Sequence, residues 1–166
     1  MKEQSGRCAP SGSPDVREVV IFSDEISRTA HKGLYNFDDG RYIRAEEDIV
    51  SSAVAVGRKD VDRIHIAAGW EDILRLALWT KDRPRIFDVV SLVRKAGIAD
   101  SETAPFTKAD PADLLPWLYY GKRFDVLRKI CNAARKRAGA GLNRLEQHIY
   151  IHLTSEDTGQ IIASSL

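Results

Sequence analysis

Two cysteines in 166 residues, Cys8 and Cys131, are too few for a disulfide framework. No CxxC pair, HExxH motif or Cys/His cluster accompanies them, which excludes a structural zinc site of the familiar kinds. No apolar run approaches the roughly 18–20 residues of a membrane helix, so no membrane partner is expected. Met1 to Asp15 are polar and lack the apolar centre of a secretory signal, which makes the cytoplasm the expected compartment. Phosphate loops are missing as well. Gly139-Ala140-Gly141 follows a helical segment instead of a strand, and no Walker spacing or Gly-x-Ser-x-Gly elbow exists.

Net charge is also scarce, at +1, but it is unevenly placed. Lys122 to Arg144 carries eight basic residues against one acid, Asp125. A helix from about Lys122 to Ala138 would bury Phe124, Leu127, Cys131 and Ala134. It would then present Lys122, Arg123, Arg128, Lys129, Arg135, Lys136 and Arg137 outward as a surface for nucleic acid or another polyanion. Trp117, Tyr119 and Tyr120 lie just before it as stacking candidates.

The remaining pattern predicts an α+β (mixed α/β) fold: a polar tail over 1–15, then a single domain over 16–166. One mixed sheet of four to five strands, including a hairpin, packs with five to six helices. Val19 to Phe22 reads as a buried strand. Leu34 to Phe37 and Arg41 to Ala45 flank Asp38-Asp39-Gly40 as a hairpin. Arg63 to Ala67 and His148 to Leu153 alternate as strands, and a short helix is expected over Ser155 to Ser164. Helices are expected after Asp48, from Trp70, and near Ile86 to Val93, with residues 98–109 as a loop. Another starts at Asp110-Pro111 and is cut short or kinked at Pro116.

Acid pairs follow three strands. Asp24, Glu71 and Glu156 could hold Mg²⁺ in a hydrolase or nuclease site if those strands are parallel, with helix capping as the competing role. His148 and His152 share one strand face but stand roughly 13 Å apart at about 3.3 Å per residue, too far for one metal. A site there would need His65 from a neighbouring strand, and the two histidines are expected on a polar or partly exposed sheet face. Three tryptophans, Trp70, Trp79 and Trp117, would anchor an interface if exposed. Trp70 and at least one other are expected in the core, because Trp70 shares the helical spacing of Ile73, Leu74 and Ala77. The polar tail, which gains order by packing on a second copy, still makes a homodimer the expected state. Trp70-Glu71-Asp72-Ile73-Leu74-Arg75-Leu76-Ala77, with Lys81 and Arg94-Lys95, resembles a helical stretch near the C-terminal end of Tn3-type transposases. The acidic catalytic residues of those enzymes do not follow it, so no activity is carried over.

Overall fold

The computed structural model describes residues 16–165; the polar tail, with Cys8, lies outside them. One five-stranded mixed sheet has the order β2-β1-β3-β4-β5, where β1 is Glu18–Phe22, β2 Tyr42–Arg44, β3 Arg63–Ala68, β4 Ile149–Ser155 and β5 Gln160–Ser164. The first four strands in that order pair in parallel, and β5 returns antiparallel along β4. Seven helices accompany them: α1 Glu25–Tyr35, α2 Ile49–Gly57, α3 Trp70–Leu78, α4 Ile86–Lys95, α5 Asp100–Thr103, α6 Leu114–Tyr120 and α7 Phe124–Gly141.

Strand alternation gives the sheet two chemically different faces. Ile21, Ile64, Ile66, Ile149, Ile151 and Leu153 point to one side, where they form a continuous core with α2, α3 and α7. The opposite face carries Val20, His65 and Tyr150 in one register row, then Phe22, Ala67 and His152 in the next. Among the described residues α1 is the helix that packs on this second face, against β1, β3, β4 and β5. Its buried residues are polar, Ser27 and His31. The Ser27 hydroxyl meets the Thr154 hydroxyl at 2.6 Å.

Several sequence expectations are corrected here. The Asp38-Asp39-Gly40 hairpin does not form: Leu34 and Tyr35 end α1, and a 3-10 turn over Asp39–Arg41 leads into β2. The hairpin of this sheet is β4–β5, where a terminal helix was expected. Gly159 at φ +64° supplies its turn, and the Ile161-Ile162-Ala163 run completes the sheet. Pro116 neither cuts nor kinks α6, because it sits in the first turn, where its missing N–H costs nothing. Phe124 was placed on the buried side of α7 but is 39% exposed. Residues 98–109 contain α5 and a 3-10 turn in what was read as plain loop.

The tryptophans are core. Trp70 is buried and donates from Nε1 to the Pro111 carbonyl at 2.8 Å, while Trp79 and Trp117 are half-buried against the same cluster. None is exposed, so the tryptophan argument for a homodimer falls away.

Trp79 closes α3 in the left-handed region, and its ring packs on Gly141 at the end of α7. A Cβ on Gly141 would overlap that ring. Gly141→Ala is therefore expected to cost about 1–3 kcal/mol, as overpacking does. Gly33→Ala in α1, where nothing lies within 4 Å of the new carbon, should instead add about 0.5–1 kcal/mol. Urea unfolding midpoints of the two variants should move in opposite directions. A Gly141→Ala midpoint equal to wild type would show that the ring gives way.

Candidate metal centre

His31, His65 and His152 come from three elements and meet between α1 and the sheet. Asp24 begins the arrangement: its carboxylate accepts from the Ser27 N–H at 2.7 Å and caps α1 directly after β1. That start point sets the turn on which Ser27 and His31, four residues apart, face the sheet. At the other end Asn36, at φ +52°, turns the chain so that Phe37 folds back over the histidines. His65 and His152 arrive from adjacent parallel strands, one register row apart.

Three ring nitrogens converge. Nε2 of His31 lies 3.1 Å from Nδ1 of His65, and Nε2 of His152 lies 3.0 Å from the same atom. One nitrogen from each ring is within 4.8 Å of the other two. Ligand bonds of about 2.0–2.1 Å in a tetrahedron place nitrogens about 3.3 Å apart, close to the two separations measured through His65.

The outward nitrogens are all held. His31 Nδ1 meets the Tyr42 hydroxyl at 3.0 Å, His152 Nδ1 meets the Ser164 hydroxyl at 2.9 Å, and His65 Nε2 meets the Glu18 carboxylate at 3.0 Å. Metal-bound histidines are oriented by such partners, because the proton each takes on the far nitrogen fixes a lone pair on the near one. Aromatic rings enclose the group: Tyr35 stacks on His31 at 4.5 Å, and Tyr150 stacks on His65 at 4.7 Å.

Electrostatics favour neutral rings. All three histidines are buried, with exposures of 0%, 3% and 1%. Burial, then the neighbouring His65, pushes His31 down to about 3. Burial, then His31 and His65, does the same for His152, also to about 3. Burial lowers His65 too, with the Glu18 carboxylate pulling the other way. A neutral imidazole is the form that binds metal, so protons compete weakly here.

His152 lies on a polar face, as expected, but that face is buried and not partly exposed. His148 stays outside the cluster, as its distance from His152 requires, while His65 is recruited from the neighbouring strand. His31 was missed altogether. The signal for it was Asp24 three residues before Ser27, a capping pair that starts a helix and carries His31 one turn beyond Ser27.

Among the described residues, the carboxylates expected to hold Mg²⁺ are not brought together as one donor set. Asp24 caps α1, Glu71 pairs with Arg75 at 2.8 Å, and Glu156 lines a cleft of about 280 Å³ at the ends of β3 and β4, which Glu71 also lines. Among the described residues they form no converging set of three donors. Of the basic residues, Lys122, Arg128, Lys129, Lys136 and Arg137 are exposed. Arg123 pairs with Asp125 at 3.1 Å, Arg135 donates to the Glu146 carbonyl, and Arg144 holds the carbonyls of Gly57, Lys59 and Val61. Cys131 is buried and its thiol is pushed up to about 12, which makes it inert.

Comparison with family models, with curated proteins and with solved structures returned no match for this chain, so the transposase resemblance across α3 and α4 gains no support.

Proposed function

We propose that this protein binds one divalent transition-metal ion through His31, His65 and His152. The observation that carries the proposal is the convergence of three buried, neutral imidazole nitrogens on one point, each with a hydrogen-bonding partner behind it. An all-imidazole set suits zinc, copper, nickel or cobalt and disfavours magnesium and calcium, which take oxygen ligands. Three protein ligands leave one position of a tetrahedron for a small molecule such as water. Titration of the metal-free protein with Co²⁺ tests the reading. One equivalent should produce visible ligand-field bands, and His65→Ala should abolish them. Absence of bands in the wild type, with no Zn²⁺ uptake by calorimetry, would overturn it.

A second reading, polyanion binding, is supported by one observation. A groove between α4 and α7 is lined by Lys95 from one helix and by Lys129 and Lys136 from the other, with Arg137 and the acid Asp88 in its continuation. Phosphates bound there would release counterions, so affinity should fall steeply with salt. Wild-type protein is expected to bind heparin or DNA resin at low salt. A variant with Ser at Arg128, Lys129, Arg135 and Lys136 should pass through. Flow-through of the wild type would end this reading and leave the metal centre untouched.

A further inference from the structure

We infer that Glu18 is a positioning residue that commits the three-histidine centre to a metal ion by fixing the proton of His65 on the outward nitrogen; the inference rests on the metal reading above. Nδ1 of His65 is the hub of the cluster, because both other inward nitrogens approach it, at 3.1 and 3.0 Å. What that atom presents decides what the cluster can hold.

The outer partners differ in the choice they allow. The Tyr42 and Ser164 hydroxyls each donate or accept, so His31 and His152 can carry their proton on either nitrogen without losing the outer hydrogen bond. A carboxylate only accepts. Glu18 therefore requires a hydrogen on His65 Nε2, and in a neutral ring that leaves Nδ1 with a lone pair facing inward. A single in-plane lone pair takes one well-aligned N–H, yet two Nε2 atoms crowd it. The ring cannot relieve this by moving its proton inward while Glu18 faces it. A cation at the convergence point satisfies all three nitrogens at once, with both hydroxyls then accepting.

Glu18 also has a competing, purely structural role to set aside. It stands at the start of β1 with Arg41 Nη1 at 3.7 Å and Arg63 Nη1 at 3.9 Å. Both arginines are partly solvent-exposed, so these contacts contribute little.

The test uses Glu18→Gln, a change of nearly equal shape, with Arg63→Gln as the control for the ion pairs. Nitrogen-15 NMR of the metal-free proteins should find His65 protonated on Nε2 in the wild type and in Arg63→Gln. In Glu18→Gln the Nδ1-protonated form should appear, since the amide can donate to Nε2. Zn²⁺ affinity by competition with a chelating dye should fall about ten- to a hundredfold in Glu18→Gln and stay near wild type in Arg63→Gln. Glu18→Asp should recover part of the loss. An unchanged tautomer and affinity in Glu18→Gln would overturn the role given to Glu18 while leaving the metal reading in place. A wild type that binds neither Zn²⁺ nor Co²⁺ would overturn the metal reading, and Glu18's role in metal capture with it.

Discussion

Metal-free protein given Zn²⁺ at a hundred times its dissociation constant should unfold about 5–10 °C higher, and a chelator should return it to the starting value. Binding to the folded state alone adds about 2.7 kcal/mol at that excess, and a domain of this size gains about 2–4 °C per kcal/mol. The size of the effect is set by the metal excess alone. Its structural meaning lies in the ligands: His31 belongs to α1, while His65 and His152 belong to β3 and β4, so a bound ion ties the helix to the sheet. His152→Ala should erase the zinc-dependent shift. Scanning calorimetry with and without metal measures it, and an equal shift in the alanine variant would place the ion elsewhere.

The second large effect is acid lability of the metal-free protein. His31 and His152 are held near 3 in the folded state, and His65 is lowered as well, whereas each returns to about 6.5 once unfolded. Above pH 6.5 both states are neutral, and these groups leave stability independent of pH. Below it the unfolded chain binds protons that the folded chain refuses, so stability falls as pH falls towards 3. The slope approaches about 1.4 kcal/mol per pH unit for each histidine that stays neutral. The groups facing the cluster are Glu18 from β1, Tyr42 from β2, Tyr150 from β4 and Tyr35 from α1, and burial pushes the Tyr35 and Tyr42 hydroxyls up, away from this range. Urea midpoints at pH 7.5 and 5.5 should differ strongly for the wild type and by about a third less for His31→Gln, which keeps two of the three lowered histidines. Identical wild-type midpoints would mean that the histidines protonate in place.

What the sequence made legible, and what it hid, divides along the two faces of the sheet. β3 and β4 were readable because Ile64, Ile66, Ile149 and Ile151 alternate with His65, Tyr150 and His152, and β1 because Val19 to Phe22 is a continuous apolar run, as a parallel strand covered on both faces shows. α2, α3, α4 and α7 were readable from apolar residues three and four apart. α1 was not, because its apolar residues point outward: Ile26 is 40% and Leu34 66% exposed, while Ser27 and His31 are buried. Hydrophobic periodicity marks the wrong side of such a helix. The three-histidine site depended on a helix that periodicity could not place. β5 failed for a related reason. Thr154, Ser155, Glu156 and Asp157 carry the marks of a helix start, and only the backbone of Gly159 reveals the turn.

The spacing of the three ligands along the chain has a consequence for biogenesis. His152 follows His65 by 87 residues. At synthesis rates of about 5–20 residues per second, a nascent chain carries His31 and His65 for about 4–17 s before the third ligand exists. Two imidazoles hold an ion far more loosely than three. On the metal reading, loading would therefore be a late step, completed only after β4 has been made and inserted beside β3.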